Sequence, residues 1–184
     1  MKFHESIIKS LAIYFLFTKF ASQTIYFIMA YEQLRLENQI CFRLYCASRL
    51  VVQHYQPYLS ALGITYTQYL VLMVLWERGP LTVSGISERL GLESNTLTPL
   101  LKRLEKGGVI SRGKQKDGDG RQTLITLTEK GRDMEKKASG IPSCLLRDME
   151  ESGLSAETLS SVAPLLDEII SKLSSSPSGD KDGR

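Results

Sequence analysis

Residues 94–106, which read SNTLTPLLKRLEK, decide the fold of this 184-residue chain. Four leucines in this stretch recur at intervals of three and four residues, the spacing of one helix face: Leu97, Leu100, Leu101 and Leu104. Ser94 or Asn95 is expected to cap the helix, and the glycine pair at 107–108 is expected to end it. The stretch therefore predicts an amphipathic helix whose other face is polar and basic.

The polar face of this helix has the size and chemistry to enter the major groove of B-form DNA. Short side chains near its N-terminus are expected to face base edges: Ser94, Asn95, Thr96, Thr98 and Pro99. Cations further along suit phosphates, which set register rather than read sequence: Lys102, Arg103 and Lys106. Pro99 deletes a backbone hydrogen bond, so the helix must start near Asn95 to tolerate it. In isolation, an ordinary amphipathic helix with a solvated basic face is the alternative interpretation.

A helix-turn-helix is indicated by the segment that precedes this helix. Thr65 and Gln68 fit a capping box for an apolar helix that stops at a Gly-Pro pair. Thr82 is expected to cap a short helix over Val83–Leu90, which Gly91 ends. Two short helices joined by a tight turn that contains glycine have helix-turn-helix spacing.

A basic β-hairpin is expected directly after the helix. Its predicted strands are Val109–Lys114 and Gln122–Leu127, the second of which alternates in the period of a strand. The polar turn between them contains Asp119 and Arg121, and we expect the aspartate to hold the guanidinium. Such a wing places an arginine in the narrow, electronegative minor groove. The order of elements predicts a mainly α-helical winged helix over residues 63–131.

Long helices on both sides of this domain are predicted to form a dimer. The apolar positions of residues 31–62 cover more than one stripe, as in a helix packed against its own domain and a second subunit. Helices capped by Thr128 and Ser155 are expected to supply further dimer contacts within residues 132–173. A two-fold dimer would set two recognition helices on successive major-groove faces of a pseudo-palindromic site.

Composition and charge narrow the classes of protein. The net charge is +3, and residues 80–137 carry 12 basic against 8 acidic side chains, whereas residues 138–184 carry 4 against 8. An anionic polymer would be attracted to the middle of the chain, although such an excess also fits a solvated surface. Three cysteines without a CxxC pair and two histidines argue against a disulfide scaffold or zinc site. Nucleotide-binding and hydrolase motifs are missing, so we expect no metal, no cofactor and no enzyme.

The two ends of the chain lie outside this predicted fold. Two lysines interrupt the apolar run of residues 7–30, which leaves windows too short to span a bilayer. We expect Met29 to be the true start, or residues 1–30 to be a dispensable extension; an N-terminal interfacial helix is the alternative. The tail 174–184 is rich in Ser, Gly and Asp and is expected to be disordered. The expected protein is cytoplasmic and has no membrane partner.

Five stretches carry a family resemblance: QICFRLY at 39–45, ITYTQYLVL at 64–72, LTV at 81–83, SNTLTPLLKRLE at 94–105 and RQTLITLTEKG at 121–131. Through them, residues 31–173 resemble the MarR family of winged-helix repressors, in particular its branch that senses organic hydroperoxides. That branch carries the same Thr-Leu-Thr-Pro, which implies that Pro99 is accommodated. The family's Asp-Glu-Arg is replaced here by Asp119, a glycine and Arg121, so the Asp–Arg pair is kept.

By this resemblance Cys41 is the peroxide-sensing thiol, and the hydroxyls of Tyr55 and Tyr66 approach it from the other subunit. A thiolate attacks the O–O bond of a peroxide, and phenolic O–H donors stabilise a thiolate by hydrogen bonding to it. Tyr45 lies four residues after Cys41 and shares its helix face. Without the resemblance, a cysteine on a helix is more often a small buried hydrophobe.

Oxidation of Cys41 is expected to run through a sulfenic acid to a reversible disulfide. Cys46 lies about 140° around the helix, so a bridge between these two cysteines is sterically poor. The resemblance implies Cys144 as a possible resolving thiol, and a low-molecular-weight thiol is the alternative. We favour the route that uses a single cysteine of the chain.

The predicted function is that of a homodimeric repressor that binds double-stranded DNA and releases its operator when an organic hydroperoxide oxidises Cys41. An alternative within the same class is a repressor released by a small aromatic ligand, in which Cys41 is structural. A thiol peroxidase, which would consume peroxide catalytically through Cys41, is the alternative from a different class.

Overall fold

The structure, a computed structural model, describes residues 14–19, 31–114 and 123–175. The chain divides into two compact units, Met1–Val51 and Val52–Arg184, and the boundary falls inside a helix. The predictions for the wing turn with Asp119 and Arg121 lie outside the described residues. The same holds for the predictions on the apolar N-terminal run, apart from residues 14–19, and for the tail after residue 175.

In the first unit, the predicted helix over residues 31–62 begins later than expected. Residues 14–19 are helical (α1), Glu32–Leu34 and Leu36–Asn38 are 3-10 turns, and α2 spans Ile40–Ala61. The Asn38 amide donates to the Glu32 carbonyl at 2.9 Å, and the Gln39 amide donates to the Gln33 carbonyl. These side chains satisfy carbonyls that a continuous helix would have paired with backbone N–H groups. Two short turns therefore replace the first helical turns.

The second unit holds the end of α2, the remaining helices and the sheet. Its further elements are α3 (Tyr66–Arg78), β1 (Leu81–Thr82), α4 (Val83–Leu90), α5 (Ser94–Lys106), β2 (Ile110–Lys114), β3 (Thr123–Leu127), α6 (Glu129–Ala138), α7 (Ile141–Glu151) and α8 (Ala156–Ser175). The strands pair antiparallel in the order β1-β3-β2. The hairpin prediction is confirmed to within one residue at the described strand ends. The strand β1 is not predicted from the sequence, because two residues are too few to show the alternation of a strand.

Hydroxyl caps start four helices as predicted. Thr65 and Gln68 form a capping box at α3, in which each side chain bonds the other residue's backbone N–H. Thr82 and Thr128 cap α4 and α6, and each accepts from the N–H three residues later. Ser155 does the same before α8, at 3.1 Å. These signals were readable because each cap lies within four residues of its partner.

The predicted cap of α5 is wrong. Ser94 is already helical, and Glu93 occupies the capping position without a side-chain hydrogen bond, so neither Ser94 nor Asn95 is the cap. The hydroxyl of Thr98 donates to the Ser94 carbonyl at 2.7 Å. Pro99 lies inside the helix, where it removes the N–H that would have bonded the Asn95 carbonyl. The side chains of Ser94 and Asn95 are therefore free of a capping role.

The leucine stripe of α5 forms the centre of the second unit's core. Leu97, Leu101 and Leu104 are buried, and Leu100 is half-buried. They pack with buried side chains from α3, α4, α6 and the sheet region: Val71, Leu72, Leu75, Ile86, Val109, Ile110, Ile125 and Met134. Burying one leucine contributes roughly 1.5–3 kcal/mol, so this stripe dictates which face of α5 turns inward.

Gly131 lies where α3, α6 and the start of β2 meet. The indole N–H of Trp76 donates to the Gly131 carbonyl at 3.0 Å. The Thr128 hydroxyl, which caps α6, also lies 2.7 Å from the Gly108 carbonyl and 3.0 Å from that of Val109. A Cβ atom on Gly131 would overlap the Val109 carbonyl oxygen, so this close approach requires glycine.

Apolar surface stays uncovered on the C-terminal helices. The α7 helix buries one stripe, but α8 buries none of its residues. The exposed apolar side chains of α8 are Val162, Leu165, Leu166, Ile169, Ile170 and Leu173. Across the described ranges, no single helix is both long and apolar enough to cross a membrane, and only α2 and α3 taken together, bent by 74° at the break between them, match that length and composition.

Candidate DNA interface and thiol site

The solvent-facing side of α5 carries the residues that were expected to contact DNA. All but one of them are exposed: Ser94, Asn95, Thr96, Pro99, Lys102, Arg103 and Lys106. Thr98 differs, because it is half-buried and its hydroxyl bonds the helix backbone. The structure thus gathers the predicted residues on one face, opposite the buried leucines.

Three cations make this face positive. No residue in the described part of the chain forms an ion pair with Lys102, Arg103 or Lys106. The acidic residue between them, Glu105, instead pairs with Arg112 at 3.1 Å. The three cations are therefore free to contact phosphates, which bind such side chains without regard to sequence.

The strands β2 and β3 form the described part of the wing. Ile110 is buried at the base of the hairpin, whereas Lys114 is exposed at its outer described end. The hairpin is thus anchored to the core at one end and open to solvent at the other. Asp119 and Arg121, which are expected at the tip, lie outside the described residues and stay predictions.

Cys41 is exposed at the second position of α2. Tyr45 follows one helical turn later and is 63% exposed, while Cys46 is half-buried. In the single chain the thiol is exposed, and both interpretations of Cys41 stay predictions. A thiol that is open to solvent meets the first requirement of a reactive cysteine, which is access for the oxidant.

Tyr55 and Tyr66 meet in the second unit, with ring centroids 5.0 Å apart. Tyr69 extends the cluster at 5.8 Å from Tyr55, and Trp76 lies 6.1 Å from Tyr69. Burial raises the pKa of Tyr55 and of Tyr66, and the phenols of Tyr66 and Tyr69 raise that of Tyr55 further. Both hydroxyls therefore keep their protons at neutral pH and remain hydrogen-bond donors for an anion such as a thiolate.

Cys144 lies on α7 in a polar cluster that the sequence did not predict. Its half-buried sulfur accepts a hydrogen bond from Arg147 Nη2 at 3.3 Å. Nearby, the Tyr58 hydroxyl donates to Asp148 Oδ2 at 2.6 Å. Recognising residues 141–151 as a helix would have placed Arg147 and Asp148 on the side of Cys144. The contact with Tyr58 spans 90 residues of chain and needs the tertiary structure.

Tyr58 is expected to titrate at unusually high pH. The hydrogen bond to Asp148 is the main cause that raises the pKa of Tyr58 from 10.0 to about 12. Because the folded-state pKa is raised, this hydrogen bond stabilises the fold fully below pH 10 and is lost as the pH rises through about 12. Ultraviolet titration should show one phenolate fewer near pH 12 in Tyr58→Phe than in wild type, and no such loss in Tyr45→Phe. If Tyr58→Phe instead lost a phenolate that forms near pH 10, the raised pKa assigned to Tyr58 would be contradicted.

The elements together define a class of protein: α4 and α5 form a helix-turn-helix, β2 and β3 form a wing, and long helices flank both, as in winged-helix DNA-binding proteins. The family described as MarR matches residues 64–123. The organic hydroperoxide resistance transcriptional regulator of Bacillus subtilis strain 168 is 46% identical over 131 residues, 71% of this chain and 88% of that protein. This chain belongs to the MarR family of transcriptional regulators.

Solved structures of AbfR from Staphylococcus epidermidis are similar to this chain. Reduced AbfR bound to DNA is 42% identical with a TM-score of 0.62, over 79% of this chain and 99% of that one. Overoxidised AbfR bound to DNA is 44% identical with a TM-score of 0.61, over 79% and 98%. The disulfide form is 43% identical with a TM-score of 0.55, over 78% and 97%. The described residues of this chain contain no cluster of His, Cys, Asp and Glu suited to a metal ion.

Proposed function

We propose that this regulator is a cytoplasmic, homodimeric repressor that leaves its operator when an organic hydroperoxide oxidises Cys41. The observation that carries the proposal is the exposed basic face of α5, which buried leucines hold outward. The sensing part is supported by a relative named for organic hydroperoxide resistance and by another solved in reduced, disulfide and overoxidised forms.

In this proposal α5 lies in the major groove of double-stranded DNA. The residues assigned to base edges or their surroundings are Ser94, Asn95, Thr96, Thr98 and Pro99. The residues assigned to phosphates are Lys102, Arg103 and Lys106. Arg121, held by Asp119, is assigned to the minor groove beside the wing. Phosphate contacts set the register of the protein and base contacts supply sequence preference.

The dimer is proposed to form through the apolar surface that a single chain leaves uncovered. On α8 this surface comprises the six exposed side chains named above, and the first half of α2 exposes Ile40, Phe42, Tyr45 and Leu50. Covering apolar area is the main favourable contribution to association. A two-fold dimer then presents two α5 helices to the halves of a pseudo-palindromic operator.

The proposed signal is a two-electron oxidation of Cys41. Its thiolate attacks the terminal oxygen of the hydroperoxide, so that an S–O bond forms, the O–O bond breaks and the alkoxide leaves as an alcohol after taking a proton. A second thiol then attacks the sulfenic sulfur, which forms a disulfide and releases water. Tyr55 and Tyr66 of the partner subunit, together with Tyr45, are proposed to donate hydrogen bonds to the thiolate.

We propose a disulfide, rather than a higher oxide, as the state that releases DNA. Overoxidised AbfR has been solved bound to DNA, so a higher oxide is compatible with DNA binding in that protein. A low-molecular-weight thiol is our first choice for the second sulfur. Cys144 is the other candidate, and its sulfur already accepts a hydrogen bond from Arg147.

Gel-shift titration on an operator selected from random-sequence DNA tests both parts of the proposal. The logarithm of affinity should fall linearly with the logarithm of salt, with a slope of about 0.9 per phosphate contacted. One equivalent of cumene hydroperoxide per protomer, with a small thiol present, should then release the DNA. A flat salt response would contradict DNA binding through α5. Unchanged affinity after oxidation would contradict peroxide sensing, and sustained turnover of peroxide would favour a thiol peroxidase.

A cavity of about 640 Å³ favours a second candidate function, release by a small aromatic ligand. It lies between α3, α4, α6 and α7, and its volume falls in the range of small-molecule sites. Met73 and Trp76 contribute to its apolar wall, and Glu77, Arg89 and Glu135 are its charged groups. In this function Cys41 is structural, so an aromatic acid would release DNA from Cys41→Ser while peroxide would have no effect on either protein.

A further inference from the structure

An ion pair joins the end of α5 to the first strand of the wing. Arg112 Nε on β2 lies 3.1 Å from Glu105 Oε2, in the last turn of α5. The Arg112 side chain is 22% exposed and that of Glu105 is 43% exposed. The arginine is therefore half-buried and the glutamate is exposed, at the point where the recognition helix passes into the hairpin.

The guanidinium in this pair is poorly satisfied. Nε and Nη2 of Arg112 are buried, and neither has a hydrogen-bond partner among the residues that the structure describes. The contact with Glu105 is thus an ion pair without an aligned hydrogen bond. Burying unsatisfied N–H groups costs free energy, and apolar replacements of buried ion pairs are often neutral or stabilising. Stability alone does not account for a cation at this position.

The pair spans the turn between α5 and β2. The backbone of this turn is tight, because the Gly107 N–H donates to the Arg103 carbonyl and the Gly108 N–H donates to the Glu105 carbonyl, both at 2.9 Å. Beyond the turn, Arg112 stands opposite Ile125 in the strand register, and Ile125 is buried in the core. A side-chain contact across such a turn restricts rotation of the hairpin about the end of the helix.

We infer that Glu105 and Arg112 are positioning residues that set the angle between the recognition helix and the wing. This inference rests on the proposed DNA binding. The angle decides whether the helix reaches the major groove and the wing reaches the adjacent minor groove at the same time. Neither residue is assigned a direct contact with DNA, so their effect on affinity passes through the wing.

The Arg112→Met variant tests the inference, because methionine fills similar volume without the charge. We expect an unchanged or higher melting temperature and about tenfold weaker operator binding. At saturating protein, protection of the minor groove from hydroxyl radicals should be lost beside the wing. Protection of guanine N7 in the major groove from dimethyl sulfate should remain. Arg78→Met is the matched control, since it removes the same charge from an exposed site at the end of α3.

The Glu105→Gln variant separates the positioning role from general electrostatics, because the two predict opposite changes in DNA affinity. General electrostatics predicts stronger DNA binding after loss of a negative charge, whereas a positioning role predicts weaker binding, as in Arg112→Met. The double variant should bind no more weakly than either single variant, because both remove one contact.

Two results would overturn this inference and leave the proposed DNA binding intact. One is minor-groove protection that persists in Arg112→Met while the salt slope falls by one phosphate, which would mark a direct contact. The other is an affinity that falls only in step with melting temperature, which would mark a structural role. A wild-type chain that bound no DNA would overturn the proposed function itself.

Discussion

The Cys41→Ser variant is expected to stay on operator DNA at peroxide concentrations that remove the wild-type protein. A hydroxyl at this position forms neither a thiolate nor a disulfide, so the coupling between oxidation and DNA affinity disappears. For wild type we expect oxidation to weaken binding about 5- to 150-fold, the usual range of such couplings, and for the variant no change. Gel shifts with and without cumene hydroperoxide, in the presence of a small thiol, measure both values.

Cys46→Ser is the matched control for this experiment, since it removes the same group from the same helix five residues later. It should respond to peroxide as wild type does. Cys144→Ser distinguishes the two routes to a disulfide on a non-reducing gel. A linked dimer that forms in wild type and not in Cys144→Ser would replace our one-cysteine route with a two-cysteine one. Release of Cys41→Ser by peroxide would show that the thiol is not the sensor.

The Gly131→Ala variant is expected to lose about 3 kcal/mol of unfolding free energy, the upper end for overpacking. Helix propensity works in the opposite direction, because alanine is favoured over glycine by about 1 kcal/mol within a helix. The overlap prevails, since the obstructing atom is the carbonyl oxygen of Val109, which is backbone and cannot change rotamer. The added Cβ would also lie 3.1 Å from Leu127 Cδ2. Urea unfolding followed by circular dichroism measures the loss.

The Gly85→Ala variant is the control for helix propensity and for the hydrogen bond to the capping threonine. Gly85 and Gly131 are both the third residue of their helices, and each donates its N–H to a capping threonine, at 3.1 and 3.2 Å. A Cβ on Gly85 meets its nearest neighbour at 3.4 Å, an ordinary contact. Its stability should be unchanged or higher. Equal effects of the two substitutions would contradict the role assigned to the Val109 carbonyl.

Short-range signals explain why the winged helix is predictable from the sequence. The starts of three helices are indicated by capping threonines, Thr65, Thr82 and Thr128, because each accepts a hydrogen bond from the backbone N–H three residues later. The spacing of the leucines in α5 predicts which face of that helix is buried. The start of α2 was misjudged because side-chain amides of Asn38 and Gln39 compete locally with helix hydrogen bonds, which apolar periodicity does not report.

Contacts between segments far apart in the chain could not be predicted from the sequence. The pairing of β1 with β3, the hydrogen bond from Tyr58 to Asp148 and the need for glycine at residue 131 each join elements far apart in the chain. None has a spacing that would reveal it. Glu105 and Arg112 are close in sequence, but their pairing depends on a helix-to-strand turn whose direction no pattern encodes.

The winged-helix order and the buried side of α5 follow from the amino-acid sequence alone, because caps and periodicity act over a few residues. The folded chain was needed to show that Cys41 is exposed in the single chain, that Tyr55 and Tyr66 share a cluster and that half-buried Arg112 pairs with Glu105. Exposure and long-range contact depend on how the elements pack, and packing is settled by the whole core rather than by any one segment.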